Sequence, residues 1–430
     1  MNALAELTRY YDEVSRCSRC GFCQPTCPTY KLEDGEADVA RGRNALVRGV
    51  IEGRAVLDAD SIRTVDECLR CGACVTACFA GVRTDRIMAA ARAFYAEQKG
   101  RSRLAGFLMA GLLPRRRLLS ALMKVLAWSK RTGLSRLARL AGWAGAWGRG
   151  LARAEGLVKE VPTSFFSDRL KPGTVLPALG EKKFTVGYFV GCRTEFLYPR
   201  IGLDTVEVLR RFGAEVRLFA DPASCCGLPP YSYGYSQATR DLVRRNAEAI
   251  VREPCQWVVT EIGSCYHFLK EYGQLYGDDP EFGETARRAA DKVVYLADFL
   301  AQAGPPRGLR AAYPRRITFQ DSCQLVHLQK SARAPRELLK GLEGVDFREM
   351  EEASWCCGGA GAYTVSHPGQ SEPILERKLG NLRATGADEV VVACQSCYLQ
   401  ISHGVRSRGM KVKVKHLAEV MEEATRPAAP

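Results

Sequence analysis

The chain has 430 residues, 46% of them hydrophobic, which suffices for about two to four packed domains and is too apolar for a disordered chain. Eighteen cysteines, most of them in metal-ligand spacings, imply a reducing compartment rather than a secreted disulfide scaffold. The formal net charge is +14, and its placement along the chain says more than its size. The opening residues, MNALAELTRYYDEV, lack a basic region followed by an apolar run, so no signal peptide is expected. No apolar run reaches the about 18 residues that a membrane-spanning helix needs.

Residues 1–16 read as helical and lead into the first of two cysteine runs. Cys17, Cys20, Cys23 and Cys27 stand in CSRCGFCQPTCP, and Cys68, Cys71, Cys74 and Cys78 in CLRCGACVTACFAG. Both have the C-x2-C-x2-C-x3-C spacing of bacterial ferredoxins, in which the fourth cysteine leaves its own loop and ligates the other cluster. The expected ligand sets are Cys17, Cys20, Cys23 and Cys78 for one [4Fe–4S] cluster and Cys68, Cys71, Cys74 and Cys27 for the second. Gly21 and Gly72, after the second cysteine of each run, are expected to let the backbone approach its cluster. Zinc prefers paired C-x2-C hooks with four ligands per metal, a poor match to two full runs of this kind. Phe79 follows Cys78 where the motif usually has proline, a departure that touches the turn and not the ligands.

Between the runs, ADVARGRNALVRGVIEG has apolar residues at helical spacing, and after Cys78 RTDRIMAAARAFYAEQKG reads as a closing helix ended by Gly100. Residues 101–154 contain 12 Lys or Arg and no Asp or Glu, and so account for 12 of the net +14. Trp128, Trp143 and Trp147 lie in the same stretch. Basic helices with Leu and Trp on one face lie in the plane of anionic membranes. The same pattern also suits a helix pair docked on the chain's own core or on a partner subunit, and the sequence does not separate these readings. No nucleic acid is expected as a partner, because no reading domain accompanies the basic stretch. Residues 162–184, rich in Pro, Gly and charge, read as a linker.

A duplication fills the C-terminal half. Cys192 precedes the pair Cys225–Cys226 as Cys323 precedes Cys356–Cys357, with the copies offset by 131 residues at both landmarks (323 − 192 and 356 − 225). Each pair continues into glycine, Gly227 or Gly358, expected to let the backbone pass close to a cluster, and each copy then reaches a Ser-Cys-Tyr at Cys265 or Cys397. Short β-rich runs before these cysteines alternate with helical runs, which argues βαβ units and parallel sheets with ligands at the strands' carboxyl ends. The second copy has five cysteines, Cys323, Cys356, Cys357, Cys394 and Cys397. The first has Ile262 in place of the fifth and keeps Cys192, Cys225, Cys226 and Cys265. Cys255 starts a strand that ends about seven residues later, over about 20 Å away, and reads as a structural cysteine.

This C-x32-CCG pattern, present twice, resembles the cysteine-rich CCG domains of heterodisulfide reductases. With two ferredoxin clusters in front, the chain resembles the glycolate oxidase iron–sulfur subunit family over nearly its full length, on stretches such as CCGGAGAYTVSHP and RKLGNLRATGA. The resemblance implies an electron-transfer subunit that takes electrons from a partner FAD-dependent dehydrogenase of glycolate- or lactate-type 2-hydroxy acids and passes them to a quinone or other carrier. The substrate oxidation of this oxidoreductase would reside on the partner chain, as no dinucleotide or phosphate-loop motif occurs here. It further implies one iron–sulfur cluster in each CCG domain, cubane or non-cubane. The alternative is a heterodisulfide-reductase-like subunit that reduces a disulfide at the five-cysteine site. His327, four residues after Cys323, could donate a hydrogen bond to a cluster sulfur, although a satisfied or exposed histidine is the commoner case.

The expected fold class is thus α+β and multi-domain. A mostly helical ferredoxin-like domain (1–100) precedes a basic helical connector and linker (101–180) and two duplicated α/β CCG domains with parallel sheets (181–304 and 305–430). The expected location is cytoplasmic, with peripheral contact to the inner membrane face through 101–154.

Overall fold

The protein is described by a computed structural model that covers residues 3–100, 103–133, 156–158, 160–221, 225–305 and 311–427. Helical periodicity gathers the N-terminal residues into helices Ala3–Thr8, Tyr11–Ser15, Ala40–Ile51, Ala59–Asp66 and Thr84–Lys99. Their inward faces share one core in which Leu7, Val47, Leu57, Val65 and Ile87 are fully buried. Asp58 caps Ala59–Asp66 through a reciprocal pair with Ser61, which fixes where the chain enters the second cysteine run. The closing helix ends at Gly100, as its sequence predicts.

The C-terminal half builds two sheets. Strands β1 (Val175–Leu176), β2 (Phe184–Tyr188), β3 (Ala214–Leu218), β4 (Trp257–Thr260) and β5 (Val293–Tyr295) lie in the order β1-β3-β2-β4-β5. Strands β6 (Arg316–Gln320), β7 (Asp346–Phe347), β8 (Glu389–Val392) and β9 (Lys413–His416) lie in the order β7-β6-β8-β9. All neighbours are parallel except β1, which runs antiparallel to β3. Apart from β1 the two orders are the same, so the duplication read from cysteine spacing is a duplication of topology. In each sheet the chain leaves the first strand to one side and returns to the other, which makes a switch point between β2 and β4 and between β6 and β8.

The two units pack together through a shared apolar core that joins Leu242 and Phe268 of the first to Leu375, Leu379 and Ile401 of the second. Helix Pro199–Arg211 lies on helix Leu417–Thr425, with Arg211 paired to Glu422 at 3.0 Å. The ends of β4 and β8 meet: the Gly263 N–H donates to the Ala393 carbonyl at 3.2 Å, and the Tyr295 hydroxyl donates to the same carbonyl at 3.1 Å.

Two readings of the connector need correction or refinement. The supposed linker 162–184 contains helix Phe166–Arg169 and β1, because Val175 and Leu176 pair with the otherwise open edge at Arg217 and Val216. Within the basic stretch, helix Arg116–Arg131 buries Leu119 and Ala127 against Val161, Phe165 and Phe196 of the chain itself, and Arg116 pairs with Glu195 at 3.2 Å. Its outer side leaves Leu118, Leu122, Val125 and Trp128 exposed. Trp143 and Trp147 lie outside the described residues. Among the described residues no helix is long and apolar enough to cross a membrane.

Candidate iron–sulfur centres

All eighteen cysteines are free thiols, and seventeen of them border three spaces. Cys17, Cys20, Cys23, Cys74 and Cys78 line one void, one thiol more than the expected ligand set. Cys27, Cys68, Cys71 and Cys74 line a second. The chain achieves this crossing because the helical turn Ala73–Ala77 carries Cys78 away from Cys68 and Cys71, while Cys27 is held against the buried Thr29 and Arg43. Cys20 is exposed, and beside it Phe22 and Phe79 stack edge-to-face in solvent, 6.1 Å apart.

The third space is a chamber of about 450 Å³ at the carboxyl ends of both sheets. It is lined by all nine repeat cysteines, Cys192, Cys225, Cys226, Cys265, Cys323, Cys356, Cys357, Cys394 and Cys397, together with Cys68 of the N-terminal unit. Cys357 and Cys397 are 3.5 Å apart. Cys394 lies 3.4 Å from Ser264, the neighbour of Cys265, so it stands between the two sets. Cys255 stays out of this space, at the opposite end of β4 against Gly187.

The thiols hold one another's charge states apart. The adjacent Cys225 sulfur and then burial push Cys192 well up. Cys265 accepts a favourable contact from Cys226, yet burial and the neighbouring thiols push it up to about 11. Cys394 is drawn down to about 5 by the Cys397 thiol against the effect of burial, with help from Ser264. So many buried sulfurs cannot ionise together without cations among them. A donor set made of thiols alone suits iron–sulfur clusters, and iron supplies the charge that deprotonates its ligands. Among the described residues no group of His, Cys, Asp or Glu converges tightly enough to hold a single metal ion. The residues fit clusters that occupy a volume.

The N-terminal unit seats directly on the chamber. Helix Cys323–Gln329 packs on the turn Ala73–Ala77, and Cys71 shares an apolar cluster with Cys323 and Cys356. Gly72 lines the second void with Cys27, Cys68, Cys71 and Cys74, and it is also required for a close protein neighbour. Its φ is 83°, and a Cβ would stand 2.5 Å from Leu328 Cγ, so the close approach is to this helix. Gly358 likewise meets the Ser371 carbonyl, 2.6 Å from where a Cβ would be. Around the rim, the Tyr363 hydroxyl donates to the Glu67 carbonyl at 2.9 Å, Arg70 donates to Ser232 at 2.6 Å, and Arg92 donates to the Ser232 and Cys68 carbonyls. His327 serves this seam: its Nδ1 is 3.2 Å from the Thr76 hydroxyl, the commoner structural use.

Residues 13–82 match the 4Fe-4S dicluster domain, and residues 186–270 and 317–402 each match the cysteine-rich domain family. Over 421 residues, 96% of this chain and 94% of the relative, the sequence is 31% identical to the "Probable glycolate oxidase iron-sulfur subunit" of Bacillus subtilis (strain 168). The chain belongs to the glycolate oxidase iron–sulfur subunit family. It is also 34% identical over 236 residues to "Lactate utilization protein A" of Shouchella clausii and 31% identical over 241 residues to its namesake in Halalkalibacterium halodurans. Those two align over 98% of their own length and over 55% and 56% of this chain.

Sequence reasoning missed the buried cations of this family member. Arg43 is 1% exposed, donates to the Thr64 carbonyl at 2.7 Å, and stands 3.9 Å from Cys27 Sγ. Lys378 is fully buried behind the five-cysteine set, with burial pulling it down to about 8 against the nearby thiols. Both sit in helices whose other charges face solvent. Only comparison of the two copies, position by position, gives a signal for Lys378.

Proposed function

We propose that this chain carries electrons from a partner FAD-dependent 2-hydroxy-acid dehydrogenase, of glycolate or lactate type, to a quinone or another carrier. The observation that carries the reading is the continuity of the thiols. Cys74 borders both N-terminal voids, Cys68 borders the second void and the chamber, and Cys394 approaches the first repeat's set through Ser264. Iron–sulfur clusters, when bound, accept and release single electrons. In this reading Cys17, Cys20, Cys23 and Cys78 hold one [4Fe–4S] cluster, and Cys68, Cys71, Cys74 and Cys27 hold another. Cys192, Cys225, Cys226 and Cys265 hold a third, and the five cysteines of the second repeat hold a fourth. The proposed units are 1–100, 101–180, 181–304 and 305–430.

The two ends of the series have different surroundings. Cys20 reaches solvent beside Phe22 and Phe79, which gives a donor protein access. Cys192 packs against the apolar cluster under helix Arg116–Arg131, whose exposed leucines and Trp128 suit the inner face of an anionic membrane, where a quinone resides. The names of the relatives support a subunit of a larger oxidoreductase. The test is anaerobic purification of the tagged full-length chain with its associated proteins. We expect bound FAD, iron and sulfide, and bleaching of the clusters by glycolate or lactate that a quinone analogue reverses. A chain that carries iron but gains no electrons from any flavoprotein would overturn the reading.

A further inference from the structure

The two copies of the cysteine-rich unit differ at a second buried position besides the fifth cysteine. Helices Ser236–Arg252 and Pro368–Ala384 are equivalent, with an offset of 132 at both ends (368 − 236 and 384 − 252). The same offset relates Ile262 to Cys394 and Cys265 to Cys397 (394 − 262 and 397 − 265). It also places Lys378 opposite Asn246 (378 − 246). Both are buried, Lys378 at 0% and Asn246 at 1% exposure. Both brace the loop of the cysteine pair: Asn246 donates to the Cys225 carbonyl at 3.0 Å, and Lys378 donates to the Glu352 and Ala353 carbonyls. An uncharged amide thus suffices for bracing in the copy with four thiols, and a full positive charge takes its place in the copy with five.

A buried ammonium without a counter-charge is costly. Its neutral contacts are the two carbonyls and the Met350 sulfur at 3.9 Å, none of which balances the charge. The buried carboxylate whose charge reaches Lys378, Asp321, is already held by Arg336 through two hydrogen bonds of 2.8 and 2.9 Å. Glu352 turns its carboxylate outward to Arg377. Arg193 reaches the Gly361 and Gln395 carbonyls from the first copy and lies between the two thiol sets, so it does not distinguish them. Among the described residues, the negative charge left to balance Lys378 is the one that Cys356, Cys357 and Cys397 and, through Cys397, Cys394 would carry as thiolate ligands of a cluster. One more thiolate adds one more negative charge whatever the shape of the cluster.

We propose that Lys378 is the counter-charge that lets the second site hold one thiolate more than the first. It is a positioning residue, acting on the site through charge, and the proposal rests on the reading that these thiols bind clusters. Removing Lys378 alone leaves the extra thiolate uncompensated, and removing Lys378 and Cys394 together recreates the charge balance of the first site.

The experiment uses the full-length chain with its clusters, as wild type and as K378N, C394I and K378N/C394I. Iron and sulfide content, the paramagnetic signal of the second-site cluster, its midpoint potential and its loss to a chelator are measured for each. In K378N the second-site cluster should be lost about tenfold faster or more, since a buried charge has lost its partner. In K378N/C394I the loss rate should return to within about twofold of wild type, because neither buried charge remains unpaired. C394I alone should raise the potential, and adding K378N should lower it again. Equal damage in K378N and K378N/C394I, misfolding of both included, would overturn the proposal, since a lysine that only braces carbonyls is missed equally with either residue at 394. A wild-type chain that takes up no iron at the second site defeats the cluster reading itself and the proposal with it.

Discussion

Gly72→Ala is expected to unseat the N-terminal unit from the second repeat. Two costs apply. Gly72 has φ 83°, a left-handed conformation that costs a residue with a Cβ about 1–2 kcal/mol. The new methyl would stand 2.5 Å from Leu328 Cγ and 2.6 Å from Leu328 Cδ2, so the Leu328 side chain must give way on helix Cys323–Gln329, an overpacking cost of about 1–3 kcal/mol. Gly53→Ala is the control, because Gly53 has φ 70° and nothing within 4 Å of a Cβ. It should lose only the backbone cost. The assay is urea unfolding of the full chain, paired with rapid-mixing measurement of electron passage from the N-terminal clusters to the repeat clusters. Gly72→Ala should lose about 1–3 kcal/mol more than Gly53→Ala and slow that passage. Equal losses and equal rates would refute the argument that this glycine sets the approach of the two units.

Three further outcomes are expected. Replacing Leu118, Leu122, Val125 and Trp128 by serine should release the chain from anionic liposomes. Binding by the unaltered chain should weaken with salt, at about 1 kcal/mol for each basic residue near the surface; cosedimentation unaffected by either change would count against membrane contact. Burial holds His416 down at about 3 and His267 down at about 4, below their unfolded value near 6.5, so both fold as neutral rings. Their contribution is complete above about pH 6.5 and falls by about 1.4 kcal/mol per pH unit per histidine below it, until each folded value is reached. His416→Asn keeps a side-chain cap for Ala418 and should shrink the stability difference between about pH 7.5 and about pH 5.5; an unchanged difference would show that another group sets it. Tyr363→Phe removes the hydroxyl that reaches the Glu67 carbonyl and should cost about 1 kcal/mol or somewhat more in unfolding experiments, whereas no loss would mean that the carbonyl finds another donor.

The parts of the fold legible in the sequence are those with fixed spacing. Cysteine intervals mark the duplication, and β-rich runs before Cys192, Cys323 and Cys397 locate strands whose carboxyl ends do converge on the chamber. What escaped is what depends on neighbours distant in sequence. Residues 162–184 have linker composition, yet Val175 and Leu176 add a strand because β3 offers an open edge. PILERKLGNLRATG reads as a helical run, and nothing local shows that Lys378 turns inward while Arg377 reaches Glu352 at the surface. The glycine of the second run is a recognisable feature of its motif, but its neighbour Leu328 lies over two hundred residues away in the chain.

The chamber between the units also means that neither half of the chain can build it alone. Its walls come from residues as far apart as Cys68 and Cys397, and Tyr363, Arg70 and Arg92 bridge the two halves at its rim. Residues 1–100 contribute one of its ten cysteines, Cys68, and the repeats without them lack that thiol and both arginines. A cut between the halves therefore leaves the chamber short of a wall, whichever half keeps its fold.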